Sequence, residues 1–185
     1  MCLGGSAGAT EIYADVLRHL PSDIDMTFVV VPHRGLDKPF ALVQVLARAT
    51  SMITREIEHG MLLRPNCVFV LPPGFHLSLS NSRFVLTEAH GRSGWPVTLS
   101  LFLSSLAESV GPRAIAVILS GLGNDGSSAL AALRAPGGQI FAQGNARWED
   151  MPNNAIATGN VDFVLSPAKI AEALAALSLK SQASF

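Results

Sequence analysis

Residues 114–133 read AIAVILSGLGNDGSSALAAL. The first six, Ala114 to Leu119, are apolar without interruption and rich in β-branched residues. A continuous apolar run of that length is expected of a strand covered on both faces. Three glycines then turn the chain, and SSALAAL follows with helical composition. Strand, glycine-rich loop and helix in immediate succession predict one unit of a parallel α/β sheet.

The same pattern extends in both directions. Residues 26–32 (MTFVVVP), 67–71 (CVFVL), 139–142 (QIFA) and 161–165 (VDFVL) are further continuous runs. Between them, Ile12, Val16, Leu17 and Leu20 share a helical face, as do Leu99, Phe102, Leu103, Leu106 and Val110. Pro96, Pro152 and Pro167 sit where a first helical turn accepts proline, and Gly111 where a helix stops. HLSLS (76–80) and RFVLTE (83–88) instead alternate with period two around Asn81-Ser82, the mark of an antiparallel hairpin. The prediction is a doubly wound α/β fold: a mostly parallel sheet, helices on both faces in three α/β/α layers, and one antiparallel β-hairpin. Residues 1–185 are read as a single domain, with 179–185 expected to fray.

Composition narrows the function classes. In 185 residues, 49% are hydrophobic and 15% charged, which describes a globular chain with a sizeable core. A net charge of −1 offers no field to attract nucleic acid or anionic lipid. Cys2 and Cys67 have neither C-x-x-C nor zinc spacing, as suits reduced cytoplasmic thiols. Neither a membrane-length apolar run nor a secretory leader is seen, so a cytoplasmic location without membrane insertion is expected.

Open parallel sheets bind ligands beyond the carboxyl ends of their strands. Ser6 follows the first short apolar segment, His33 ends VVVPH, and Asp125 lies in the loop after AIAVIL. A serine, a histidine and an aspartate are thereby expected on one rim. GGSAG, residues 4–8, fits the G-x-S-x-G elbow that presents a nucleophilic hydroxyl. Only Met1 to Leu3 are left for the strand such an elbow needs. Each residue also has a plain structural reading: Ser6 as a helix N-cap, His33 as the end of a strand, Asp125 as a loop carboxylate favouring the next helix. Of the remaining histidines, His76 is a weaker rim candidate, while His19, His59 and His90 fall in polar or turn-like stretches.

Two rival motifs overlap these residues. GLGNDG, 121–126, literally fits the dinucleotide fingerprint G-x-G-x-x-G. Asp125 would then face a pyrophosphate, and the next strand ends in Gln143 where a ribose-binding acid is wanted. The α/β-hydrolase fold shares the elbow, but its triad runs serine, acid, histidine, and several strands precede the elbow.

The chain resembles the catalytic domain of the bacterial chemotaxis receptor methylesterases, the CheB family. The likeness spans about residue 3 to about residue 175 and rests on GGSAGA (4–9), VVVPHRG (29–35), VFVLPPGFHL (68–77), VILSGLGNDGSSAL (117–130) and MPNNAIATGNVDFVL (151–165). The last segment is most similar to the subgroup fused to receptor methyltransferases. The resemblance implies a catalytic Ser6, His33 and Asp125, in that chain order, and no metal or organic cofactor. It implies hydrolysis of glutamyl methyl esters on the cytoplasmic helices of chemoreceptors, with methanol released, and in many members glutamine deamidation. An oxyanion would be received by backbone N–H groups of Ala7 and Leu122. Ala7, Ala9, Pro32, Arg34 and Leu122 depart from the residues usual in the family, which bears on rate and substrate preference. Arg34 is read either as attracting an acidic receptor helix or as a solvated loop residue. The receiver domain usual in the family is absent from these residues, which suggests an excised domain whose receiver or methyltransferase partner lies in a parent protein or another chain. A non-catalytic interaction module and a small-molecule esterase are the alternative functions.

Overall fold

Strand β1 (Cys2–Gly5) is the middle of a seven-stranded sheet. The computed structural model describes residues 1–33, 39–89 and 97–182, so Arg34, His90 and Pro96 lie outside the described residues. The sheet runs β3 (Ile53–Glu56), β4 (Cys67–Val70), β2 (Thr27–Pro32), β1, β7 (Ile115–Ile118), β8 (Gln139–Gln143) and β9 (Phe163–Leu165), every neighbouring pair parallel. The expected apolar runs are all strands. β3 escaped the sequence reading because ITRE is an edge strand with Ile53 as its one apolar residue. β1 extends beyond Leu3 through both glycines. A Cβ on Gly4 would lie 2.4 Å from Leu99 Cδ2, and one on Gly5 would lie 2.7 Å from Ala9 Cβ. The two glycines therefore let helices close onto the central strand from opposite faces.

Helices α1 (Ala9–Arg18), α2 (Pro39–Ala47) and α6 (Pro167–Gln182) cover one face. Helices α3 (Thr98–Val110), α4 (Leu130–Arg134) and α5 (Asp150–Ala157) cover the other. The strands supply both cores by strict alternation. Cys2, Val29, Val31 and Phe69 pack with Leu99, Phe102 and Leu103 of α3. Leu3, Phe28, Val30 and Val68 pack with Tyr13 and Leu17 of α1, Leu46 of α2 and Leu174 of α6. Each such side chain contributes roughly 1.5–3 kcal/mol on burial, which is why both faces of the sheet must be covered. α6 runs to Gln182 and so takes in the first residues of the stretch expected to fray.

β5 (Phe75–Ser80) and β6 (Arg83–Glu88) pair antiparallel, with Ser80 opposite Arg83. Asn81 and Ser82 both take positive φ, 49° and 59°, as a two-residue hairpin turn of matching twist requires. Leu79 N–H donates to Ser105 Oγ and Ser109 Oγ donates to Leu79 O, tying the hairpin to α3. Among the described residues no helix is long and apolar enough to cross a membrane.

Candidate active site

The order β2-β1-β7 brings three strand ends together. The His33 N–H donates to Gly5 O at 2.7 Å, and the Ser6 N–H to Ser120 O at 2.9 Å. Ser6 leaves β1 into a turn closed by the Ala9 N–H donating to Ser6 O at 3.1 Å. The N-cap of α1 is Gly8, at φ 72°, and no side chain caps this helix, so the Ser6 hydroxyl does not serve as an N-cap. Instead Ser6 Oγ faces His33 Nδ1 at 3.5 Å.

His33 Nε2 lies 3.8 Å from Asp125 Oδ2, with 2% and 1% of the two side chains exposed. One neutral tautomer suits both neighbours: Nε2–H toward the carboxylate and the Nδ1 lone pair toward the hydroxyl. Both separations exceed a settled hydrogen bond. Unliganded catalytic constellations commonly show that looseness and tighten around substrate.

Asp125 is fixed from its other side. The Leu99 N–H donates to Oδ2 at 2.9 Å, and the Ser100 N–H and hydroxyl donate to Oδ1 at 3.0 and 2.9 Å. These are the second and third residues of α3, whose own N-cap, Val97, offers no side-chain acceptor. Asp125 thus caps a helix from a distant loop, and the positive end of α3 faces its charge. The sequence alternative, that Asp125 favours the helix after it, is corrected: the helix it caps comes earlier in the chain. Ser100 was missed because its partner is 25 residues away and nothing local marks it.

The loop GLGNDG is not arranged as a dinucleotide cradle. Its Gly126 N–H goes to Ser100 Oγ at 2.8 Å, a Cβ on Gly126 would meet Leu99 Cδ2 at 2.7 Å, and its carboxylate turns onto α3. The loop leads into a short 3₁₀ turn, Ser127–Ala129, and the five-residue α4 rather than a long helix. Beside it, Ser120 joins the strand end to the elbow. Its hydroxyl donates to Ala7 O at 2.9 Å and accepts the Trp148 N–H at 3.2 Å, while its N–H donates to Gln143 Oε1 at 2.9 Å. Among the described residues, the N–H groups of Ala7 and Leu122 have no intramolecular acceptor. The two peptides expected to receive an oxyanion therefore keep their donors uncommitted.

Below the elbow, the Tyr13 hydroxyl is buried and would lie 3.0 Å from a Cβ on Gly5. Burial pushes this phenol well above its usual range, and it adds no charge beneath Ser6. Of the other histidines, His76 pairs through Nδ1 with Thr98 Oγ1 at 3.1 Å, at the start of α3. His19 donates to Asp15 O at 2.8 Å on the exposed end of α1, and His59 lies against Leu86 of the hairpin.

A family model described as CheB methylesterase matches residues 1–174. The chain belongs to the CheB methylesterase family. It is 34% identical over 179 residues to protein-glutamate methylesterase/protein-glutamine glutaminase 3 of Anaeromyxobacter dehalogenans, covering 95% of this chain and 52% of that protein. It is 32% identical over 178 residues to protein-glutamate methylesterase FrzG of Myxococcus xanthus, covering 94% and 53%. The chain thus spans about half the length of these curated relatives. The crystal structure of the Thermotoga maritima CheB methylesterase catalytic domain superposes with a TM-score of 0.88 at 28% identity, covering 95% of this chain and 96% of that one. The sheet and hairpin found here are the architecture of a CheB catalytic domain.

Proposed function

We propose that this chain is the catalytic domain of a serine hydrolase that removes methyl esters from glutamate side chains on chemoreceptor cytoplasmic helices. The observation that carries the reading is the run Ser6 Oγ–His33 Nδ1–His33 Nε2–Asp125 Oδ2, beside two uncommitted N–H groups.

An isolated serine hydroxyl is a weak nucleophile and needs a base and a group to orient that base. As Ser6 Oγ attacks the ester carbonyl, its proton passes to His33 Nδ1. Asp125 holds the Nε2–H tautomer and stabilises the imidazolium. The carbonyl π electrons move onto oxygen, which the Ala7 and Leu122 N–H groups receive. One such donor is worth roughly 3–4 kcal/mol in other hydrolases. The tetrahedral centre collapses, the C–O bond to methoxide breaks, and His33 Nδ1 returns the proton so that methanol leaves. Water then adds to the acyl-serine by the same steps, freeing glutamate and Ser6. Glutamine deamidation follows the same course with ammonia leaving. These steps use only the named groups and water.

The setting belongs to the same proposal. The domain works in the cytoplasm, where receptor helices carry their methylated glutamates. A receiver or methyltransferase domain in the parent protein or a separate chain regulates it; the longer curated relatives support that.

The test is methanol release from a methylated receptor cytoplasmic fragment. Wild type should release methanol and Ser6→Ala should not, while keeping its circular dichroism. Release by Ser6→Ala at the wild-type rate would remove the assignment. Turnover of small esters but not of receptor would point to a small-molecule esterase, and a folded chain with no turnover to an interaction module.

A further inference from the structure

The peptide of Leu122 lies between two glycines, and the segment 148–154 holds both. The Gly121 N–H donates to Trp148 O at 2.9 Å, and Gly121 O accepts the Met151 N–H at 3.0 Å. The Gly123 N–H points to Asp150 Oδ2 at 3.4 Å, and Gly123 O accepts from Asn154 Nδ2 at 3.0 Å. Every backbone polar group of the two flanking glycines is thereby engaged by the first turns of α5 and the residues before it. Among the described residues, the N–H between them has no acceptor. Glycine is demanded here. A Cβ on Gly121 would lie 2.3 Å from Met151 Sδ and 2.9 Å from Ser6 N, and Gly123 has φ 87°. Gly123 has high intrinsic freedom, which its contacts with Asp150 and Asn154 restrain.

We propose that Asn154, aided by Asp150, is a positioning residue for the reaction: the Met151 N–H fixes Gly121 O, which is coplanar with the Leu122 N–H, and the Asn154 amide pins Gly123 O on the far side of Leu122, so that the loop holds this N–H in one direction for the oxyanion. This rests on the hydrolase reading above. Asn154 and Asp150 are both exposed, so their hydrogen bonds add little to folding stability. Their effect is on direction. A preorganised donor serves a developing oxyanion only if it already points there, and small misplacements cost large factors in rate.

The experiment is steady-state methanol release by wild type, Asn154→Ala, Asn154→Asp and Asn154→Gln, with Asn153→Ala as the neighbouring control. Asn154→Ala should lower kcat about tenfold with KM and the melting midpoint unchanged. Asn154→Asp, which sets a carboxylate against the Gly123 carbonyl, should be at least as slow. Asn154→Gln, which keeps the amide donor on a longer arm, should recover part of the rate, and Asn153→Ala should match wild type. Full kcat in Asn154→Ala while wild type turns over would overturn the clamp and leave the hydrolase reading standing. Loss that follows the melting midpoint, or equal loss in Asn154→Gln and Asn154→Ala, would also overturn it. A wild-type chain without turnover would overturn both, and the wild-type measurement separates that case from the others.

Discussion

Ser100 grips Asp125 twice, donating to the same carboxylate oxygen from its backbone N–H at 3.0 Å and from its hydroxyl at 2.9 Å. That hydroxyl also accepts the Gly126 N–H at 2.8 Å, closing the loop that carries Asp125 onto α3. Ser100→Ala removes one of three donors to the carboxylate and orphans the Gly126 N–H. Stability should fall by about 1 kcal/mol, and methanol release by several-fold. Ser100→Thr should restore most of both. Urea titrations beside the methanol assay check this; an unchanged rate in Ser100→Ala would show that the backbone donors suffice.

Asp125 has two separable duties, capping α3 and facing His33. Asp125→Asn keeps one carbonyl oxygen, which at the Oδ1 position still accepts from the Ser100 N–H and hydroxyl, while its NH2 replaces Oδ2 and leaves the Leu99 N–H without that acceptor. It removes the negative charge beside Nε2 and favours the tautomer with its proton on Nδ1, the wrong one for accepting the Ser6 proton. The expected result is a modestly lowered melting midpoint, from the one backbone donor left unpaired, with a rate lowered by roughly 10³–10⁴. A rate within tenfold of wild type would deny the carboxylate its orienting duty.

Cys2 and Cys67 are both free and buried in the sheet core. Burial pushes the Cys2 thiol far above its usual range, so little thiolate forms at neutral pH. Neither thiol should react with a disulfide-exchange reagent in the native protein, and both should react in denaturant. A thiol titrating quickly under native conditions would contradict the burial of β1 or β4.

The Met1 ammonium donates to Thr27 O at 2.7 Å, and burial lowers its pKa from 8.0 to about 6. The folded value is the lower one, so between those two pH values the unfolded chain binds more protons. This group's contribution is therefore greatest above about pH 8 and declines as pH falls toward 6. With Met1 half-buried, the change should be about 1–2 kcal/mol. Urea midpoints at pH 6 and 8, compared between the free and the N-acetylated chain, measure it. Acetylation should flatten the dependence, and identical pH profiles would refute the effect.

Local chemistry makes much of this protein legible in its sequence. Continuous apolar runs marked five strands of the parallel sheet, and Asn81-Ser82 between two alternating segments marked the hairpin. His33 and Asp125 followed from a topological rule, because each sits just past a strand that composition identifies, whereas Ser6 rested on the G-x-S-x-G pattern after a segment too short to read as a strand. Those signals survive in one dimension because burial on both faces, turn conformation and helix termination depend on residues within a few positions of one another. The tertiary structure decided that β1 lies between β2 and β7, that Asp125 caps α3, that Ser100 holds it, and that α5 grips the loop bearing Leu122. In each of these the partners lie 25 or more residues apart, so what joins them is the packing of helices across strand ends, which no neighbouring residue records.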